Sequence, residues 1–296
     1  MFKVIMASNP EILRSINPDF TVEAEYGEIL VEGKYGTLAH HGSRSSNPAP
    51  CTVKNNIFYD TPEIFTEKEF IIGISHFDLD TLGGIFAIFG IKNESKLANE
   101  FWKLAGFIDV NGSHKISQSD ASLDAIDILY SYWAYVQSKR YFCKGDETLE
   151  ISDNDIMDFW RFLEEMFDEH DSNLKRKYLQ AGFDFRSDEN RKNKDSFVQE
   201  CNGAILRVAP YFTNTFYTTP AGKVCKCVVS FNTLSGAITL SYAEKINTNA
   251  REFVQKFWGE KAGGHELIAG SPRGEKMTLE ELTNFWKLVI YLLDSN

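Results

Sequence analysis

Phe70-Ile-Ile-Gly-Ile-Ser-His76-Phe-Asp78-Leu-Asp80-Thr-Leu-Gly-Gly84 is the stretch whose reading decides the fold. Its first six residues form a compact apolar run suited to a buried parallel strand. From Thr81 the pattern is that of a helix, so the polar residues between lie at a strand-to-helix junction. In open α/β sheets, ligands gather at the carboxyl ends of strands. If residues 76–80 stay extended, His76, Asp78 and Asp80 share one face. One imidazole and two carboxylates suit a divalent ion such as manganese, magnesium or zinc. Gly83-Gly84 would let backbone approach a ligand closely. The competing structural reading has the aspartates capping the helix.

Downstream, Leu97 to Ala105 reads as a short helix stopped by Gly106, and Gly106 to Val110 as a further strand ending near Asp109. If that strand is a parallel neighbour, Asp109 opens on the same sheet edge as the His76 loop. A carboxylate there can bridge two metals ~3.5–4 Å apart, the spacing that activates water for in-line attack on phosphorus. Residues 121–138 carry a helical face of Leu123, Ile126, Leu129, Trp133 and Val136. Ser152 to Asp168 is amphipathic, with Ser152 as N-cap and Ile156, Phe159, Trp160, Leu163 and Phe167 inward. Residues 1–70 look like short strands with glycine-marked turns. This alternation predicts an α/β fold, with a mostly parallel sheet flanked by helices across residues 1–190.

The polar, mixed-charge run 184–196 predicts an interdomain linker. Beyond it, residues 197–296 predict a smaller C-terminal α/β domain, with a cleft between the two. Lys223 to Phe231 and Gly236 to Tyr242 read as a hairpin, and Ala250 to Trp258 as a helix. A glycine-rich loop follows, and Thr278-Leu-Glu-Glu281 has capping-box spacing at the start of the last helix.

Bulk composition limits the partners. The 296 residues carry a formal net charge of -11, which argues against the basic track that long duplex nucleic acid needs. A mononucleotide or short oligonucleotide stays allowed, because a bound metal neutralises its phosphates locally. Hydrophobic residues at 43% and aromatic residues at 14% supply a real core. The five cysteines are odd in number and scattered, which fits a reduced, cytoplasmic setting. Cys225 and Cys227 are expected to pack on one sheet face. No secretory signal is visible in Met1 to Asp19, and no window approaches the ~18 apolar residues of a membrane span.

Ser75-His76-Phe-Asp78-Leu-Asp80-Thr-Leu-Gly-Gly resembles the first motif of the DHH phosphoesterase superfamily, which includes RecJ-type nucleases and oligonucleotide and cyclic-dinucleotide hydrolases. Ala262-Gly263-Gly264-His265-Glu-Leu-Ile-Ala-Gly-Ser-Pro-Arg273-Gly is similar to the Gly-Gly-His motif of the substrate-binding domain that follows in those enzymes. The two matches occur in the family's order. The resemblance implies a two-domain phosphodiester hydrolase with a manganese pair in the first domain and a nucleotide or short-oligonucleotide substrate, homodimeric assembly being allowed. It implies that His76, Asp78, Asp80 and Asp109 carry metal and catalysis, and that Gly263, Gly264 and His265 grip the substrate. Arg273 and then Arg44 are the expected phosphate contacts, since guanidinium holds phosphate bidentately.

The sequence departs from the family where the Asp-His-His triplet should follow Asp109. Either His40-His41 folds back into the site to replace it, or His114 supplies the imidazole. A late family aspartate also has no counterpart; Asp120, Asp124 and Asp127 share one helical face and fit dipole stabilisation better. Two other readings compete. One is a non-catalytic nucleotide binder with a degenerate metal site. The other is a haloacid-dehalogenase-like phosphatase with Asp78 as nucleophile, in which the threonine arrives one residue early.

Overall fold

The computed structural model describes residues 2–26, 29–55, 70–137, 139, 141, 143, 146–244, 248–264, 266–272 and 275–294. They divide into two compact units. The first comprises Met1–Val110 and Gln118–Phe185, the second Asn111–Ser117 and Arg186–Asn296.

The first unit runs β1 (Phe2–Ala7), α1 (Pro10–Ile16), β2 (Phe20–Val22), β3 (Glu25–Tyr26), β4 (Ile29–Leu30), β5 (Gly36–Leu38), β6 (Phe70–Ile74) and α2 (Leu79–Phe89). It continues with α3 (Lys96–Asn111), α4 (Leu123–Val136), β7 (Thr148–Ser152), α5 (Asp153–Phe167) and α6 (Asn173–Ser196), of which Asn111 of α3 and the part of α6 from Arg186 onward count with the second unit. Five strands form one sheet in the order β5-β2-β6-β1-β7. The apolar run at 70–74 is central and pairs in parallel with β1 and β2. β5 is parallel to β2, while β7 lies antiparallel at the edge. This is the mostly parallel, helix-flanked sheet that the sequence predicts. Phe20, Ile72, Ile74, Leu82, Ile85, Phe86, Phe101 and Phe159 are fully buried in it.

Parallel pairing aligns the carboxyl ends of β5, β2 and β6 side by side. The residues that leave that edge are His40 and His41, Glu23, and Ser75 and His76. Sheet order alone therefore gathers chain segments far apart in sequence.

Two expectations change here. The stretch Gly106 to Val110 is not a strand; α3 continues through it to Asn111. Gly106 is present for packing, since a Cβ there would lie 2.7 Å from Thr52 Cγ2 and 3.3 Å from Ala49 Cβ. Asp109 thus sits in the last turn of a helix. Gly83 and Gly84 likewise admit protein rather than ligand. A Cβ on Gly83 would lie 2.5 Å from Cys51 Cβ, and one on Gly84 2.6 Å from Val22 Cγ1. α5 starts at its Ser152 cap as expected. Leu123, expected inward, is 73% exposed at the first turn of α4.

The expected linker 184–196 is helical throughout, as the last part of α6. Its alternating charges form close-spaced pairs such as Lys192–Asp188 at 2.8 Å, which support a solvated helix. The boundary between residues 190 and 197 is accordingly replaced by one at Phe185/Arg186, and the second unit also takes Asn111–Ser117.

The second unit contains β8 (Phe197–Cys201), β9 (Ala204–Ala209), β10 (Cys227–Asn232), β11 (Ala237–Tyr242), α7 (Ala250–Trp258), β12 (Gly263–Gly264), β13 (Ile268–Gly270) and α8 (Leu279–Asp294). Its sheet order is β12-β13-β11-β10-β9-β8. The expected hairpin is β10–β11, paired from Cys227↔Tyr242 to Asn232↔Ala237. Leu206, Val229, Phe231 and Leu240 on one face join Phe253 and Val254 of α7 and Phe285, Trp286 and Val289 of α8 in a single core. The capping box forms as read: Thr278 N donates to Glu281 Oε2 at 2.8 Å and Glu281 N to Thr278 Oγ1 at 3.2 Å.

Cys225 and Cys227 do not share a face. Cys227 belongs to the helix-covered core and Cys225 to the cluster of Ile205, Tyr217 and Val228. β10 begins only at Cys227, so strand alternation does not extend back to Cys225. Arg207 of β9 is fully buried. It donates to Asn193 O at 2.7 Å, Ser196 Oγ at 2.9 Å, Phe216 O at 2.8 Å and Thr218 O at 2.7 Å.

Candidate metal centre

The site begins with Glu23, directly after β2. Its φ of 49° is a left-handed backbone that a glutamate seldom adopts. Three bonds hold it. Glu23 N donates to Leu38 O at 2.9 Å, Ser75 N donates to Glu23 O at 3.4 Å, and Ser75 Oγ donates to the same carbonyl. The carboxylate is entirely buried.

His40 and His41 leave β5 with their ring centroids 4.3 Å apart. Their backbone is gripped by Glu25, whose carboxylate accepts from His40 N at 3.3 Å and His41 N at 3.1 Å. Arg44 Nε donates to the same carboxylate at 2.6 Å. The guanidinium expected on a phosphate is thus engaged with Glu25, beneath the histidine pair.

Asp80 is the second residue of α2, where the helix dipole favours an acid. Its Oδ1 accepts from Cys51 N at 2.9 Å. Its Oδ2 lies 3.3 Å from His40 Nε2, which is also 3.0 Å from Asp109 Oδ2 and 3.7 Å from Glu23 Oε1. His41 Nε2 lies 2.8 Å from Glu23 Oε2. Two sets of ligand atoms result, each within 4.8 Å: Glu23, His40 and His41, and His40, Asp80 and Asp109.

The decisive detail is that Glu23 Oε1 and Oε2, His40 Nε2, Asp80 Oδ2 and Asp109 Oδ2 are all buried and lie against one another and His41 Nε2 at 2.8–3.7 Å without a well-aligned hydrogen bond. Buried polar groups are normally paired, and each orphan costs about 1–3 kcal/mol. Spread over two sets that share His40, these carboxylate and imidazole atoms have the chemistry of a cation's donor set. Electrostatics agree. Burial lifts the Glu23 carboxyl, only partly offset by His41, and burial with the Asp80 and Asp78 charges lifts Asp109. Contact with Asp80 raises His40, and contact with Glu23 pushes His41 up to about 9. In protons, the cluster holds the positive charge its carboxylates lack.

His76 and Asp78 stand beside these sets rather than in them. Asp78 caps α2, accepting from Thr81 N at 2.8 Å, and its Oδ2 lies 3.2 Å from His76 Nε2. Burial raises the Asp78 carboxyl, but His76 and Thr81 outweigh it and hold it below the usual range. His76 Nδ1 is 2.8 Å from Ser75 Oγ, whose proton goes to the Glu23 carbonyl, so Nδ1 carries a hydrogen. Contact with Asp78 raises His76, which favours the doubly protonated ring.

Of the other expected residues, His114 belongs to the second unit, its ring 4.7 Å from Tyr217, and burial lowers its pKa. Gly263 and Gly264 form β12 against β13, and Gly264 has φ 151° with Ala269 Cα 2.5 Å from where a Cβ would stand. Close strand pairing therefore explains that glycine. His265 and Arg273 lie outside the described residues. Glu23, which sequence reasoning missed, carried only a faint signal: a carboxylate immediately after the short apolar run Phe20-Thr-Val22.

No known protein family matches the chain, and no curated protein matches it. Among solved structures, an uncharacterized protein from Helicobacter pylori G27 is similar at 12% identity, over 100% of this chain and 98% of that one, with a TM-score of 0.22. A likeness of that size carries no argument about function. Among the described residues, no helix is long and apolar enough to cross a membrane.

Proposed function

We propose that this chain is a metal-dependent phosphoesterase, a divergent relative of the DHH superfamily, that hydrolyses a phosphodiester of a nucleotide or short oligonucleotide. The observation that carries this reading is the pair of ligand sets, Glu23 with His40 and His41 and His40 with Asp80 and Asp109, that share His40 at the carboxyl edge of a mostly parallel sheet. Mixed imidazole and carboxylate donors fit manganese, with magnesium or zinc as alternatives. When bound, such an ion supplies Lewis acidity and an activated water for attack on phosphorus.

His40 Nε2 has one lone pair and serves one ion. A second ion would have to use Glu23 and His41, leaving His40, Asp80 and Asp109 to the first. His76, its pKa raised by Asp78 and its side chain 48% exposed, offers a ring suited to donate to a phosphate oxygen. Gly263, Gly264, His265 and Arg273 are proposed as substrate contacts on their motif resemblance alone.

The test is a metal count by mass spectrometry, with hydrolysis of bis-p-nitrophenyl phosphate, dinucleotides and cyclic dinucleotides in added manganese. Metal uptake with turnover supports the proposal. Metal and nucleotide binding without turnover would establish a non-catalytic binder, and absence of both sinks the metal reading.

A further inference from the structure

Lys92 is a lysine buried to 9% exposure, and among the described residues no carboxylate forms an ion pair with it. Burying an ammonium without a counter-charge is costly unless geometry compensates. Its Nζ donates to the carbonyls of Cys51 and, at 2.7 Å, Val53. The same nitrogen lies 5.2 Å from the centre of the Trp102 ring. The backbone of residue 92 adds a reciprocal lock: Asn55 Nδ2 donates to Lys92 O at 2.7 Å, and Lys92 N to Asn55 Oδ1 at 3.1 Å.

Four hydrogen bonds therefore tie segment 50–55 to one residue. That segment delivers Cys51 N to Asp80 Oδ1 at 2.9 Å, and this bond turns the other oxygen, Oδ2, toward His40. Cys51 also rests on α2 at Gly83, where no side chain fits. Burial depresses the ammonium to about 8, against the pull of the Asp80 carboxylate, so the fold keeps a costly buried charge behind its carboxylate cluster.

We propose that Lys92 is a positioning residue of the metal centre: through Cys51 it fixes the Asp80 carboxylate in its ligating orientation. This rests on the reading of the cluster as a metal site. Outer-shell partners of this kind change metal affinity about 10–100-fold when removed.

The experiment compares the whole chain with Lys92→Met and Asn55→Ala, measuring manganese affinity by electron paramagnetic resonance and the absorption bands of the cobalt-loaded protein. Lys92→Met is expected to weaken manganese binding about tenfold and to alter the cobalt bands at saturation. Asn55→Ala, which keeps the ammonium, should do the same to a smaller extent. A lysine that only stabilised the fold would lower the melting temperature and leave both readouts unchanged; that result overturns the proposal. Should Lys92→Met not fold, Asn55→Ala decides by the same two readouts. Failure of the unmodified chain to bind manganese or cobalt would instead overturn the metal centre itself.

Discussion

His41 Nε2 lies 2.8 Å from Oε2 of Glu23, a carboxylate with no exposure to water. That contact raises His41 to about 9, so at neutral pH the ring holds a proton that a metal must displace. A folded-state pKa above the unfolded 6.5 means stability that is fully present below pH 6.5 and lost as pH rises through about 9. His40 is raised too and acts in the same window, while the raised carboxyls of Glu23 and Asp109 act in the same sense from their ordinary acid range upward. The melting temperature of chelator-treated protein should thus fall between pH 6.5 and 9, while the increment gained on adding manganese should grow. Calorimetric scans with and without metal across that window check both trends.

Asp109→Asn should separate function from stability. Loss of one ligand charge should reduce hydrolysis on the order of a thousandfold, about 4 kcal/mol of transition-state stabilisation. The metal-free variant should melt no lower than the parent, because a carboxylate that burial and the Asp80 and Asp78 charges disfavour has gone. Steady-state kinetics and a melt of the same preparation suffice. A drop in both would mean that Asp109 serves the fold.

Asp78→Ala should behave differently. It removes the α2 N-cap, at a cost of about 1 kcal/mol, and it frees His76 to titrate lower, since Asp78 is the first cause of its raised pKa. Metal content should persist. Denaturant titration together with a metal count distinguishes this from loss of a ligand.

Gly83→Ala puts a methyl group 2.5 Å from Cys51 Cβ. Overpacking of this kind costs about 1–3 kcal/mol. Because Cys51 N holds Asp80, manganese affinity should fall with stability, readable in one metal titration of the purified variant.

In the second unit, Arg207→Lys should destabilise by about 3 kcal/mol, since one ammonium cannot reach the carbonyls of Asn193, Phe216 and Thr218 together. Hydrogen exchange should show the loss in residues 213–218 first.

Much of this was legible in the sequence. The run 70–74 announced a central parallel strand by its unbroken apolarity, and Ser152 and Thr278 announced helix starts by their caps. His40-His41 was readable as a candidate replacement for the missing triplet, and the structure sets His40 with Asp80 and Asp109 and His41 against Glu23. Asp109 itself was placed on the wrong element because Gly106 looks like a helix stop, whereas its packing against Thr52 lies 54 residues away in sequence and leaves no local trace. Glu23 was invisible for a similar reason: what turns it inward is a left-handed φ supported by Leu38 at the end of β5 and Ser75 just after β6, both distant in sequence. The polar stretch 184–196 misled because composition reports solvation and not conformation.

The membership of Asn111–Ser117 in the second unit has a bearing on how the chain is made. During synthesis this segment, with the His114 ring that later meets Tyr217, leaves the ribosome before any strand of its own sheet exists. It must wait through the whole of residues 118–185 for its partners. A fragment cut at Arg186 would lack it altogether, so expression of the C-terminal portion alone should yield a unit with the Tyr217 side uncovered and prone to self-association.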